Sequence, residues 1–469
     1  MVNLLLLTFL FNGFVQKWTF QNGIYATAGR MCIGDTDRDG HYELIFCPNS
    51  YPASHKIHIY ELHLPNTWVC DSFPYFFSPL LWDIGDFDLD GLFDLVTEVS
   101  INSTHPAIVK IISESPDSFS YPTQEVWRND TVGPPAGGDP IAAYDVDKDG
   151  IPEILIMVFD VTKLQIFESI GNNQYDCIYA DTIHSSSTYA FGDFDCDDNI
   201  EFVRAWDRSY WIYESPANNT YEKIAEGQLL STGNIKDCFT VPDADGDGRL
   251  EFVLKGYSPS TGRIETFFFE AIGNDTYTII DSFTFYNGHP FYSGGHSTAG
   301  DIDGDNIPEI VLEACQDIYI IKSAGNDSFY VWETLPGHNT GSDVRVFDFD
   351  NNGLNEILIS GNNETHIYEY EPGAVEEHTL GKPVNISFTC LPNVVENDIY
   401  LSFTLPQQTQ VSLNIYNNLG QRVRSISTGT QSAGCHSQKI DLTAFTAGVY
   451  FVQLKTQDQV IIQKVVKIK

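Results

Sequence analysis

The sequence predicts an all-β protein, a seven-bladed β-propeller followed by a small Ig-like β-sandwich. Three features predict it. A nine-residue acidic motif occurs seven times, at intervals of 47 to 59 residues. Every copy runs into a short β-rich apolar segment such as Leu44-Ile45-Phe46, Ile154-Leu155-Ile156 or Ile357-Leu358-Ile359. Beyond residue 382 the composition switches to few acids, many β-branched residues and a basic finish, Lys464-Val465-Val466-Lys467-Ile468-Lys469. A period near 50 residues with four short β segments is the length of a propeller blade, not of a helical solenoid repeat.

From the N-terminus, the apolar run Leu4 to Phe11 has the character of a signal-peptide core. No basic segment precedes it and no small-x-small cleavage site follows. Residues 1–15 are therefore a candidate signal peptide, with a first strand as the other reading. The propeller is expected over 16–372, a linker over 373–382 and the sandwich over 383–469.

The motif places oxygen-bearing side chains at its positions 1, 3, 5 and 9. They are Asp35, Asp37, Asp39 and Glu43 in the first copy, and Asp86, Asp88, Asp90 and Asp94 in the second. The third and fourth have Asp145, Asp147, Asp149, Glu153 and Asp193, Asp195, Asp197, Glu201. The fifth and sixth have Asp243, Asp245, Asp247, Glu251 and Asp301, Asp303, Asp305, Glu309. The seventh has Asp348, Asp350, Asn352 and Glu356.

Calcium takes six to eight hard oxygens at roughly 2.3–2.6 Å with tolerant geometry, which a tight loop of alternating acids supplies. Glycine at position 6 allows the sharp turn. An EF-hand closes its cage with a glutamate at position 12 and enters a helix. Here the closing acid stands at position 9 and a strand follows, so the loops are not EF-hands. A single Asp-x-Asp-x-Asp-Gly could be an ordinary acidic turn. Seven copies concentrate 27 carboxylates at the four positions, and without metal those carboxylates would repel one another strongly. Up to seven Ca2+ ions are expected. Asp198 and Asn306 replace the glycine and Asn352 replaces an aspartate, so loops four, six and seven should bind more weakly.

A second β segment follows each loop, and Gly-Asn turns such as Gly171-Asn172, Gly273-Asn274 and Gly325-Asn326 lead into another strand. Four such strands carry a tryptophan, Trp18, Trp68, Trp127 and Trp332, placed 16 to 18 residues before a first aspartate. Recurrence at one blade position points to packing between blades rather than to ligand stacking. The first blade has no predecessor, so the Trp18 strand is expected to pair into the last blade and close the ring.

With 64 acidic and 25 basic residues the net charge is −39. That field repels phosphate backbones, so nucleic acid is excluded as a partner. No internal stretch reaches the ~18–20 apolar residues of a transmembrane segment. The nine cysteines include no C-x-x-C pair. Cys32 and Cys47 flank the first loop and are read as a disulfide or as two thiols. His55 and His58 lie three apart on a strand, hence on opposite faces, and form no metal pair.

At its loops the chain resembles the FG-GAP/VCBS repeat family, which includes the integrin α-subunit propellers. The resemblance spans about residues 16–372 and includes the fragment Phe191-Gly192-Asp193, although the Gly-Ala-Pro half of the family motif is not evident. It implies calcium loops on one face of the ring, structural rather than catalytic, with partners bound by loops elsewhere. The tail alternates like sandwich strands in Leu401–Leu405 and Val411–Tyr416, around an Asn418-Leu419-Gly420 turn. With Ala433-Gly434, Asp441-Leu442 and Gly448-Val449-Tyr450-Phe451, it resembles the type A C-terminal sorting domain of type IX secretion. That implies recognition by the type IX machinery and a location outside a bacterial cell, secreted or on its outer surface. Sequons such as Asn102-Ser103-Thr104 and Asn129-Asp130-Thr131 would suit an N-glycosylated ectodomain, but many sequons fall in Asn-rich turns, and the sorting tail argues for a bacterium.

The expected function is that of a non-enzymatic binding or adhesion protein for an unidentified extracellular protein or glycan. No nucleophile elbow, H-E-x-x-H or Gly-rich phosphate loop is present. The alternative is an extracellular polysaccharide lyase or hydrolase working from the propeller channel.

Overall fold

The first aspartate of each motif follows one strand, and its ninth residue lies at or beside the start of the next. Each motif is thus a tight connection inside an antiparallel sheet. The structure is a computed structural model, and it describes residues 10–11, 13–21, 31–46, 56–63, 67–74, 79–100, 108–133, 141–158, 163–182, 188–229, 233–258, 262–285, 295–325, 327–337, 343–361, 364–371, 387–391, 394–395, 398–405, 409–417, 421–431, 434–456 and 460–468. The chain divides into two compact units, Met1–Gly373 and Ala374–Lys469. All its described regular elements are strands.

The first unit holds seven propeller-like sheets. Sheet 1 comprises Cys32–Gly34, Glu43–Phe46, Lys56–His63 and Thr67–Pro74. Sheet 2 comprises Pro79–Gly85, Asp94–Ser100, Ile108–Glu114 and Gln124–Gly133. Sheet 3 comprises Ile141–Tyr144, Glu153–Val158, Lys163–Gly171 and Gln174–Asp181. Sheet 4 comprises Ala190–Gly192, Ile200–Trp206, Ser209–Ala217 and Thr220–Gln228. Sheet 5 comprises Asn234–Val241, Glu251–Ser258, Arg263–Gly273 and Thr276–Phe285. Sheet 6 comprises Thr298–Gly300, Glu309–Ala314, Asp317–Ser323 and Phe329–Pro336. Sheet 7 comprises Asp343–Phe347, Glu356–Gly361 and Glu364–Tyr370, followed by Phe14–Gln21 and Leu10–Phe11 from the start of the chain.

Second strands such as Glu43–Phe46, Glu309–Ala314 and Glu356–Gly361 are buried along their whole length. This is why they read as unbroken apolar runs rather than as alternation. Fourth strands are wetter, and Gln174–Asp181 and Thr220–Gln228 each bury only one residue fully.

Phe14–Gln21 pairs antiparallel with Glu364–Tyr370, setting Trp18 opposite Ile367 and Phe14 opposite Tyr370. The chain's first long strand therefore completes its last sheet, as the tryptophan spacing anticipated. Sheets 1 and 7 are bonded directly. Met31 N–H donates to Asp343 Oδ2 at 2.5 Å, and Arg345 Nε donates to Met31 O at 3.0 Å. The same device recurs between other neighbours. Asp83 Oδ2 accepts from Ala143 N–H at 2.9 Å, and Asp237 Oδ2 accepts from Ser297 N–H at 2.8 Å.

Three of the recurrent tryptophans pack between sheets. Trp127 meets Phe167 and Tyr175 of sheet 3 at centroid distances of 5.2 and 5.5 Å. Trp332 meets Phe14 and Tyr370 of sheet 7 at 5.3 and 5.0 Å. Trp18 shares one cluster with Ile45, Ile59, Leu95 and Leu358, drawn from sheets 1, 2 and 7. The side chain of Trp68 lies outside the described residues.

Residues 13–15 belong to a strand turn and the Phe14–Gln21 strand, and Phe14 is fully buried. Phe14 and Val15, within the stretch read as a candidate signal peptide, begin this strand, and Phe14 joins the cluster shared by sheets 6 and 7. Cys32 is buried, whereas Cys47 lies outside the described residues, as does His55.

The second unit contains a three-stranded sheet, ordered Ser387–Leu391, Asp398–Leu405, Gly434–Asp441. A five-stranded sheet is ordered Val394–Val395, Val460–Lys467, Gly448–Lys455, Thr409–Asn417, Arg422–Gln431. Ile399, Leu401, Phe403 and Ile440 of the first share one core with Leu413, Ile415, Val452 and Val465 of the second. Two sheets over one core make a sandwich.

Phe14 and Trp18 bury their rings at the seam. Phe14→Ala or Trp18→Ala is expected to cost about 3–5 kcal/mol, read by denaturant unfolding. A loss below about 1 kcal/mol would show that the strand is peripheral.

Candidate metal centre

The backbone of the seven loops turns alike at positions 4 and 6, loop five departing at position 1 with Asp243 at φ 20°. Position 4 is left-handed, with φ between 56° and 63° at Arg38, Leu89, Lys148, Cys196 and Asn351. Glycine fills it in the other two loops, at Gly246 and Gly304. Position 6 is left-handed as well, with glycine in five loops and Asp198 (φ 73°) and Asn306 (φ 66°) in two. The two departures from glycine thus keep the turn, using residues that tolerate this region.

This path wraps backbone N–H groups onto the acids. The position 5 side chain accepts the N–H of position 7 in every loop, at 2.8 to 2.9 Å. The position 1 carboxylate accepts the N–H of position 6 in loops one to four, six and seven, at 2.9 to 3.2 Å. The position 9 acid accepts the N–H of position 2 in every loop, at 2.6 to 3.1 Å. At position 9 one oxygen fixes the loop, and in loops one to five and seven the other meets no donor.

That other oxygen is where a cation fits. Glu43, Asp94, Glu153, Glu201, Glu251 and Glu356 are at most 1 % exposed. In each, the second carboxylate oxygen is shielded from solvent and meets no hydrogen-bond donor. Burial pushes these carboxyls up, to about 8 for Glu43, Asp94, Glu153, Glu251 and Glu356 and to about 9 for Glu201. A buried carboxylate oxygen without a donor costs several kcal/mol unless a cation meets it.

The structure adds a column of acids that the motif spacing did not reveal. The third strands carry Glu61, Glu114, Glu168, Glu214, Glu270 and Glu369, all buried. Glu43 stands directly opposite Glu61, Asp94 opposite Glu114, Glu201 opposite Glu214, and Glu356 opposite Glu369. Like charges directly opposite on a sheet are destabilising, and here both members are buried. The sequence signal is a recurring hydrophobic-x-Glu in the third strand, as in Ile59-Tyr60-Glu61, Ile212-Tyr213-Glu214 and Ile367-Tyr368-Glu369. Its distance from the motif varies with hairpin length, so it does not stand out as a spacing. In sheet 6 this position is Lys322.

Several loops are also clamped by the next sheet. Asn219 N–H donates to Asp147 Oδ2 at 2.6 Å, Asp275 N–H to Asp195 Oδ2 at 2.7 Å, and Asp327 N–H to Asp245 Oδ2 at 2.8 Å. Asn173 N–H reaches Asp88 in the same way. These donors are the Asn-rich hairpin turns between third and fourth strands. One turn thus closes its own hairpin and orients a position 3 acid of its neighbour.

Ligand oxygens converge closely enough to hold one ion in Asp35/Asp37/Asp39/Glu43 and Asp193/Asp195/Asp197/Glu201. They also converge in Asp86/Asp88/Asp90, Asp145/Asp147/Glu153 and Asp147/Asp149/Glu168. An all-oxygen donor set suits a hard divalent cation rather than a soft one. In loop seven Asn352 takes the position 5 role, its Oδ1 accepting from Leu354 N–H at 2.8 Å. In loop five Arg249 Nη1 lies 3.0 Å from Glu270 Oε1.

Residues 389–469 match the family described as the secretion system C-terminal sorting domain. The tail therefore marks an exported protein, secreted or displayed at the surface. No helix among the described residues is long and apolar enough to cross a membrane. No curated protein matches the chain in sequence. Similar solved structures include a fungal alcohol oxidase of the AA5 family in complex with copper, at TM-score 0.46 and 10 % identity, covering 96 % of this chain and 99 % of that one. Another is an Agrocybe aegerita lectin that recognises non-reducing terminal N-acetylglucosamine, at TM-score 0.43 and 11 % identity, covering 83 % and 94 %. Likenesses this distant carry no argument about function.

Glu153→Gln separates the cost of the buried charge from its use. Without divalent cations the variant should be more stable than the parent by about 1–3 kcal/mol, since an unmatched buried carboxylate is gone. With cations it should bind one ion fewer. Equal destabilisation with and without a chelator, in denaturant unfolding, would exclude a cation at this loop.

Proposed function

We propose that the chain is an exported, calcium-stabilised seven-bladed β-propeller acting as a non-enzymatic binding or adhesion protein. Its partner would be an extracellular protein or glycan. One observation carries the calcium reading. In six loops a fully buried carboxylate oxygen meets no donor and a second buried glutamate lies on the adjoining strand. The FG-GAP/VCBS resemblance of residues 16–372 supports the same reading and rests on the loop residues themselves.

The acidic clusters are thereby accounted for as staples, which leaves recognition to surfaces outside the loops. The hard oxygen set and the sorting domain both favour calcium, which extracellular modules bind at about 10⁻⁴–10⁻³ M. At a calcium concentration ten times its dissociation constant, each occupied loop adds roughly 1.4 kcal/mol. Summed over the loops, this is comparable to the 5–15 kcal/mol of a typical domain.

Exhaustive chelation of the intact chain is expected to lower its melting temperature by on the order of 10 °C or more, with recovery on adding calcium. An unchanged melting curve would sink the staple. The binding role is tested separately, by screening the calcium-loaded protein on glycan and extracellular-protein arrays and on a polysaccharide panel. Turnover of any polysaccharide would replace binding by catalysis.

A further inference from the structure

Resting on the calcium reading, we infer that the sixth loop takes no metal ion, because the ammonium of Lys322 stands in for one. The other six sheets carry glutamate at the equivalent place on the third strand, and sheet 6 alone carries lysine. Ile310 is opposite Ile321 in the register, which places Glu309 against Lys322 as Glu356 is placed against Glu369.

The ammonium reaches the cage itself. Lys322 Nζ lies 3.0 Å from Glu309 Oε1 and 3.5 Å from Asp305 Oδ2, and it bonds Asp303. Those are positions 9, 5 and 3 of the motif. The consequence is visible at position 9. Glu309 is as buried as its counterparts, yet its Oε1 has a cation beside it while theirs have no donor. The cations near two other sheets do something different. Arg249 bonds Glu270 and the Ala271 carbonyl, and Lys17 bonds Glu369 and Glu371, all outside the position 1, 3, 5 and 9 set.

A divalent ion bound where Lys322 points would face a permanent positive charge at contact distance, with three ligand carboxylates already paired to the one ammonium. Sites of this class are too weak to displace it. The lysine is also held from behind. Its Nζ sits 4.3 Å from the centroid of the Trp332 ring, a favourable cation–π placement. Trp332 in turn packs on Phe14 and Tyr370 of sheet 7. The seam where the two ends of the first unit meet is thus beside the loop whose cation is built into the chain.

The test uses the full chain, equilibrated with calcium and counted for bound metal, with hydrogen exchange followed loop by loop with and without chelator. The expectation is at most six ions, with exchange in residues 301–309 insensitive to calcium while the corresponding segments of other loops slow. Lys322→Glu should restore the glutamate pair, add one ion, and slow exchange in 301–309 by about tenfold at calcium ten times the dissociation constant. Seven ions in the parent, or calcium protection of 301–309, would overturn this inference and leave the calcium reading intact. A count of zero would overturn the calcium reading itself. If Lys322→Glu does not fold, the exchange behaviour of 301–309 in the parent decides alone.

Discussion

Everything in the repeat unit depends on a carboxylate buried at the ninth position of each loop. One of its oxygens accepts the N–H of position 2 and so pins the loop to the start of the second strand. The other faces inward, across the sheet from a third-strand residue. A buried acid beside a buried acid is a costly arrangement, and burial, with the neighbouring loop acids, pushes these carboxyls to about 8 or 9. A cation between them would offset that cost, as would a proton on one of the pair. In sheet 6 a side chain supplies positive charge at this place, Lys322 Nζ lying 3.0 Å from Glu309 Oε1.

Around this point the sheets are coupled in layers. Near the first strands, Asp83, Asp237 and Asp343 each accept a backbone N–H from the following sheet. At the loops, hairpin turns of the next sheet hold the position 3 acids. Between the outer strands, Trp127 and Trp332 pack across the seams. A cation that orders one loop would thus also orient the turn of its neighbour. Stabilisation at the loops is therefore expected to be shared between sheets rather than confined to one.

Sheet 5 and sheet 6 share a further buried network of charge. Lys255 Nζ lies 3.4 Å from both Asp237 Oδ2 and Glu313 Oε2 and donates to Gly295 O at 2.7 Å. It neutralises acids outside the loops much as Lys322 neutralises those inside one. In a chain of net charge −39, Lys255 is a buried cation set between two buried acids.

The sequence by itself determined the repeat, the left-handed turn at position 6, the insertion of the Trp18 strand into the last sheet and the identity of the tail. These are local or periodic properties, set by residue type at fixed spacing, so a single chain displays them without any knowledge of contacts. The third-strand acids, the clamp from neighbouring turns and the role of Lys322 were decided only by the tertiary structure. Hairpins of different length shift Glu61, Glu114 and Glu270 by several residues relative to their loops, and only strand register brings them back opposite position 9. For the same reason loop six looks like its siblings when its motif is read alone. What distinguishes it lies on another strand, where a lysine replaces the glutamate and closes the cage from across the sheet.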